Sequence, residues 1–401
     1  MAAPFANATR QLSSRTVFDA LLHRGPISRA ALAKVTGLSK QTTSEVIDGF
    51  VRLGLARPAG RTSGSVGRTA VLYELSPDGG HALGIDLGAR RLTVALADLA
   101  GRVLAERTEA TDPRGGAWVL DQIAYLAERL ARENNTHPSR IRSIVLGTPG
   151  VVNPRSGTID LAPNIHDLDH VNVVSLLAEK LGSAVVLEND INLELLGEIW
   201  HGCAQHVGNV AYLSLGSGVG LGLFINGQLV RGEHAAAGEI GYLPIGGDPL
   251  LPESRAQGCL EYQVGAAGVL RRYLEAGGTT ATTALGVFEE AAAGEPTAAQ
   301  VVEATAHLIG LAACAVVAVM DPKVLVLGGS LGGRPELAVR VAAVLDRLAP
   351  RPVEVRTSTL GARAGVVGAL SVALRQLHEE FFGGSEHATA LPLPLPPPRA
   401  A

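Results

Sequence analysis

The chain has 401 residues, enough for two or three domains with cores of ordinary size. Its three cysteines, Cys203, Cys259 and Cys314, are odd in number and widely spaced, which excludes a disulfide-framed secreted scaffold and points to a reducing cytoplasm. The net charge of −4 conceals a division: residues 1–75 carry ten Lys or Arg against four acids, a net +6, so the remainder carries −10. A basic head on an acidic body suits a polyanion-binding module fused to something else, and a solvated basic face is the plain alternative. The N-terminus has no apolar segment of secretory type, and the longest apolar run, Leu308 to Met320, is 13 residues. That is short of the ~20 needed to span a bilayer, so a buried core helix is expected, in a soluble, cytoplasmic protein with no membrane partner.

Leu12, Val17, Leu21 and Leu22 recur at roughly helical spacing until Gly25-Pro26 stops the helix. Ser28 offers an N-cap for a short helix from Arg29 to Val35 with Leu32 and Ala33 inward, and Thr36-Gly37-Leu38 makes the turn, with Gly37 suited to positive φ. Ser39 caps the next helix, which runs to about Leu53 on a buried stripe of Val46, Ile47, Phe50 and Leu53. Ser39, Lys40, Gln41, Thr42 and Thr43 lie at its N-terminal end, where a recognition helix meets base edges and phosphates. Leu55 to Arg57 reads as a strand, Pro58 to Arg68 as a Gly/Ser-rich loop, and Thr69 to Leu75 as a returning strand with Val71, Tyr73 and Leu75 inward. Arg57, Arg61 and Arg68 border that hairpin, as in a wing entering a minor groove. Residues 1–75 therefore read as a winged helix-turn-helix that binds double-stranded DNA, and one such module covers so small a site that a homodimer or homotetramer on a palindrome-like operator is expected.

A linker, 76–81, leads to a strand, Ala82 to Gly88, and a second, Leu92 to Asp98, with Asp86 and Gly88 at the turn. Val145 to Val152 is a strand running into a tight turn, followed by Ala162-Pro163-Asn164. Val185 to Asp190 ends a buried strand in a carboxylate and continues as a helix to Trp200. Leu213 to Gly222, with Gly216, Gly218 and Gly220, reads as a glycine-rich phosphate-type loop before the hairpin Phe224 to Val230, and Val324 to Ser330 closes another strand in glycines.

This ordered set, over about residues 10–380, resembles the ROK family of repressors, open reading frames and kinases, in particular those members with a winged-helix head such as the xylose and N-acetylglucosamine repressors. The resemblance implies an α/β protein, a winged helix-turn-helix followed by a two-lobed actin-like ATPase fold. The first lobe would be 82–195, completed by 361–380, and the second 196–360, with sugar against the first and nucleotide against the second. It implies Asp190 at the position of the kinase general base, which takes a proton from the attacked sugar hydroxyl. It likewise implies Asn164, Asn189, Glu239 and Glu261 as sugar ligands, with Tyr242 where the family has His. A satisfied structural polar group is the alternative for each of the four, most of all for Asn164 after a proline, whereas the strand end at Asn189-Asp190 favours the site.

The chain also departs from that pattern. The zinc loop usually reads Cys-x-Cys-Gly-x-x-Gly-Cys, but Gly246 to Gly258 holds no cysteine and Cys259 alone remains. One thiol cannot hold a structural zinc, so no zinc is expected. The phosphate turn reads Asp86-Leu87-Gly88-Ala89-Arg90-Arg91, with Arg90 where family kinases have a hydroxyl. Transfer depends on positioning, so ATP turnover is not expected although Asp190 remains. The resulting expectation is a transcriptional regulator of repressor type, not an enzyme, whose cleft takes a sugar or sugar phosphate and whose lobe closure alters the spacing of paired heads. The alternatives are an ATP-dependent sugar kinase with a DNA-binding head, and a regulator whose body is a ligand-free scaffold. Residues 387–401, rich in Leu-Pro repeats, read as a disordered polyproline-like tail.

Overall fold

Ala8–Arg24 forms α1, and its chain is stopped by Gly25-Pro26 as the sequence requires. The computed structural model describes residues 8–62, 69–153, 158–160, 165–169 and 171–382; the wing tip with Arg68, the segment with Asn164 and the tail 387–401 lie outside these. β1 (Ile27–Ser28) precedes α2 (Arg29–Thr36), where the Ser28 hydroxyl accepts from the Ala31 amide at 3.3 Å and Gly37 closes the helix at φ 71. α3 (Lys40–Arg52) follows, then β2 (Ala56–Arg61) and β3 (Val71–Leu75), in an antiparallel sheet ordered β1-β3-β2. Val17, Phe18, Leu21, Leu32, Val46, Ile47, Phe50 and Leu55 fill the core of the head.

Three expectations for the head need correction. Leu53, counted in the buried stripe, is 47% exposed because α3 ends at Arg52 and the chain turns away. Pro58 to Arg61 is strand rather than loop, with a register shift between Pro58 and Gly60; β2 is an edge strand, where proline's missing N–H costs no ladder bond. The expected linker is also folded. Ser76 N–H donates to Leu55 carbonyl at 2.9 Å, 77–79 form a 3-10 turn, and His81 already begins the next strand.

The chain divides into two compact units: one holds the residues up to 150, 154–188 and those from 369 on, and the other holds 151–153 and 189–368. In the first, β4 (His81–Leu87), β5 (Arg91–Asp98) and β6 (Val103–Ala110) form an antiparallel meander. α4 (Gly116–Glu133) returns the chain to β7 (Ile141–Thr148), parallel to β4. After the short strands β8 (Val151–Asn153) and β9 (Thr158–Asp160) come α5 (Val173–Leu181) and β10 (Val185–Asn189), giving the order β10-β7-β4-β5-β6. Leu83, Ile85 and Leu87 alternate along β4, as do Leu92, Val94 and Leu96 along β5, to meet Val119, Leu120, Ile123, Leu126 and Leu130 of α4.

The second unit begins with α6 (Asp190–His201), so the expected boundary at 195 falls inside one helix. β11 (Val210–Leu215), β12 (Val219–Ile225) and β13 (Gln228–Leu229) are antiparallel. Four helices follow: α7 (Pro252–Gln257), α8 (Cys259–Val264), α9 (Ala266–Glu275) and α10 (Ala284–Ala292). α11 (Pro296–Met320) is long and apolar enough to cross a membrane, yet 56% of its apolar window is buried in this unit's core, as expected for 308–320. β14 (Val324–Gly328), α12 (Gly329–Gly332), α13 (Pro335–Leu348) and β15 (Glu354–Thr357) complete the sheet β13-β12-β11-β14-β15. Two mixed five-stranded sheets, each an antiparallel meander joined by a parallel strand, make the actin-like ATPase fold.

α14 (Ala364–Phe382) counts with the second unit through Gly368 and with the first from Ala369. Its last turns anchor the head. The Phe18 ring lies 4.7 Å from His378 and 5.0 Å from Phe382, and Phe50 lies 6.0 Å from Phe382, centroid to centroid. His378 Nε2 donates to the Leu99 carbonyl at 2.9 Å. Burial pushes this imidazole down to about 4, opposed by the Leu99 bond, so the ring is neutral at pH 7.

Candidate functional site

The exposed face of α3 starts at its cap. Ser39 Oγ accepts from the Thr42 amide at 3.0 Å and lies 2.8 Å from Thr42 Oγ1, so both hydroxyls serve the helix start. Thr43, read as a DNA contact, is fully buried and donates to the Ser39 carbonyl at 3.0 Å. It lies three and four residues before Val46 and Ile47, which puts it on the inward stripe and not in the groove-facing set. Lys40 and Gln41 are exposed as expected, and Gln41 Nε2 donates to Glu45 Oε1 at 3.0 Å. Sequence reasoning passed over Glu45, although its spacing of four from Gln41 marks the same face.

In the wing, Arg57 pairs with Glu74 at 2.8 Å, so part of its charge is spent across the hairpin, whereas Arg61 stands exposed at the end of β2. Thr62 N–H donates to Ala70 carbonyl at 2.9 Å and Thr62 Oγ1 accepts from Ala70 N–H at 3.1 Å, which closes the strands below the tip. Arg29 holds Asp48 at 2.5 Å, donates to the Tyr73 hydroxyl at 3.0 Å and stacks over that ring, clamping α2, α3 and β3 together.

Of the body's expected site residues, Asn189, Asp190, Glu239, Tyr242 and Glu261 lie in the second unit, where Asp190 is the first residue of α6. Asn189 Oδ1 accepts from the Ile191 and Asn192 amides at 3.0 and 3.1 Å, so this expected sugar ligand is also the helix cap. Asp190 Oδ1 accepts from the Ile191 amide at 2.9 Å. Burial raises the Asp190 carboxyl to about 6, its backbone hydrogen bonds oppose the rise, and the Glu239 charge adds to it. Glu261, on α8, accepts from the Val219 amide at 2.9 Å; burial raises it as well, and the Glu239 charge contributes. Glu239 keeps exposed surface, yet the atoms packed about its carboxyl raise it too. It follows Gly238, whose φ of +100 suits glycine and where a Cβ would stand 1.8 Å from the Leu221 carbonyl oxygen. Tyr242 ends the next 3-10 turn and is 47% exposed. The Glu239 charge thus acts on both Asp190 and Glu261, and carboxylates of this kind can accept from the hydroxyls of a ligand.

The glycine-rich segment is a tight hairpin turn rather than an open loop. Gly216 N–H donates to Gly218 carbonyl at 3.0 Å, and the Ala266 amide at the start of α9 donates to Gly216 carbonyl at 2.9 Å. Gly220 lies within β12, where a Cβ would meet Ile191 Cδ1 at 2.2 Å, so a side chain there would have to displace the end of Ile191 on α6. In the first unit, Asp86 pairs with Thr93 in the β4–β5 ladder and is half-buried. Gly88 donates to Arg91 carbonyl at 2.9 Å and accepts from Thr111 Oγ1 at 2.7 Å, while Arg90 is exposed at the turn. Cys259 is buried, with its thiol donating to the Ile245 carbonyl at 3.6 Å. Among the described residues no group of three or more His, Cys, Asp or Glu could hold a metal ion, so these residues do not fit the family's zinc.

Comparison with known proteins adds three findings. Residues 82–376 match the pattern described as the ROK family. The chain is 27% identical over 334 residues to the xylose repressor of Caldicellulosiruptor bescii, covering 80% of this chain and 83% of that one. It is also 30% identical to a glucokinase of Halalkalibacterium halodurans, over 71% of this chain and 92% of the relative. The crystal structure of a ROK family transcriptional regulator, a homologue of the Escherichia coli MLC protein, superposes with a TM-score of 0.75 at 22% identity, over 94% of this chain and 98% of the other.

Proposed function

The chain belongs to the ROK family, and we propose from that membership that it works in the cytoplasm as a DNA-binding transcriptional regulator of the repressor type, controlled by a sugar-like effector, and not as an enzyme. The observation that carries this reading is the winged helix itself. It joins a ROK body to a head whose Lys40, Gln41 and Arg61 face solvent, while Arg29 and Arg57 are held by acids. The resemblance to the xylose repressor extends over 80% of the chain and supports it.

For the effector, Asp190, Glu239 and Glu261 favour a neutral ligand rich in hydroxyls over a sugar phosphate, since their charges repel an anion. Tyr242 supplies the ring and hydroxyl where the family's histidine would stand. Two heads on one operator, from a homodimer or homotetramer, complete the reading. Kinase activity is the second reading, favoured by the retained Asp190 and by the glucokinase relative. Arg90 in the phosphate turn opposes it.

Genome-wide mapping of the sites bound by the full chain tests the proposal. The expected result is a small set of operators beside carbohydrate genes. Lys40→Ala should weaken binding to them and reduce the slope of log affinity against log salt by about 1. No enriched site, or operator affinity unchanged in Lys40→Ala, would overturn the assignment of the head.

A further inference from the structure

Opposite the buried stripe of Thr43, Val46, Ile47 and Phe50, α3 turns Gln41, Glu45, Asp48 and Arg52 outward. Two of these are acids, on the element read above as entering DNA, where a carboxylate is repelled by phosphate. Asp48 is accounted for, because Arg29 neutralises it and is itself fixed by Tyr73. Glu45 has no such cation: among the described residues no ion pair reaches it, and its hydrogen bond is with neutral Gln41 at 3.0 Å. That bond uses one carboxylate oxygen, sets the side chain's direction, and leaves the second oxygen to accept.

An acceptor in the major groove finds two donors, the N4 amino group of cytosine and the N6 amino group of adenine. Adenine also presents N7, an acceptor that a carboxylate cannot satisfy and repels. Cytosine presents the amino group alone. We propose that Glu45, oriented by Gln41, is a specificity-determining residue that selects one cytosine in each half of the operator by accepting from its N4 amino group. This rests on the DNA-binding reading of the head.

The test is selection from a randomised duplex library by the full-length protein, its Glu45→Ala variant and its Glu45→Gln variant. Wild type should enrich a paired motif with one fixed cytosine per half-site, discriminating against other bases by about tenfold. Glu45→Ala should lose that preference at that position only, while its binding to unselected duplex becomes tighter because an acid facing phosphate has gone. Glu45→Gln should move the preference toward adenine, whose N6 and N7 match a carboxamide. One shared motif for all three proteins, or weakening of Glu45→Ala at every position alike, would overturn the inference and leave the DNA-binding reading standing. A wild type that enriches no motif would overturn both.

Discussion

Asp190 concentrates the body's chemistry in one group. Its carboxyl, raised to about 6 chiefly by burial, would accept a ligand hydroxyl more strongly when ionised. Effector affinity should therefore be full above about pH 6 and fall as the pH drops below it, because protonation removes the charge that strengthens this bond. Asp190→Asn should weaken binding by about ten- to a hundredfold, the loss expected for a hydrogen bond to a charged group, and should leave only the pH dependence that Glu239 and Glu261 contribute. Calorimetric titration with a panel of neutral sugars reads both quantities, and a flat profile in the wild type would count against Asp190 as a ligand. The position of this residue was legible in the sequence, since a strand ending in Asn189-Asp190 before a helix places both at the helix start, although that strand, expected to be buried, has Val186 39% exposed. Their double duty was not. A sequence does not reveal that Asn189 Oδ1 is occupied by the Ile191 and Asn192 amides. Thr43 was legible and was misread: the polar character of the run drew it to the groove, although its phase with Val46 and Ile47 sends it inward.

Among the elements, caps and turns were the most legible, because Ser28 and Ser39 act through bonds to residues three positions away and Gly37 through its own positive φ. The seating of the head was hidden, because it joins Phe18 and Phe50 to residues more than 300 positions later. α14 is the element that makes this join. Near its start, Gly197 of α6 approaches so closely that a Cβ there would stand 2.3 Å from the Ala364 carbonyl oxygen; at its end, His378 and Phe382 take the head's aromatic rings. Removing the Phe382 ring, 3% exposed, should cost roughly 3 kcal/mol of packing at this contact. In Phe382→Ala, proteases should therefore cut faster at the 76–80 connection, while sugar affinity stays unchanged. Unaltered cleavage would show that the aromatic cluster does not hold the head.

At the scale of the whole molecule, the division between a basic head and an acidic body was already in the sequence. So was the order of the motifs, and both sheets follow that order. What the sequence left open was how the carboxylates group, because Asp190, Glu239 and Glu261 come from three separate segments whose approach depends on the fold. A regulator and a kinase would use that group differently: one converts sugar binding into a change at the head, the other transfers phosphate. The measurement that separates them is the affinity of the full-length protein for one mapped operator, titrated with a panel of neutral sugars, alongside ADP release from ATP with the same sugars. The regulator should lose operator affinity at least tenfold with one sugar, a change that Asp190→Asn abolishes, and should release no sugar-dependent ADP. Operator affinity unmoved by every sugar, together with ADP release that depends on Asp190, would contradict the regulator and establish the kinase.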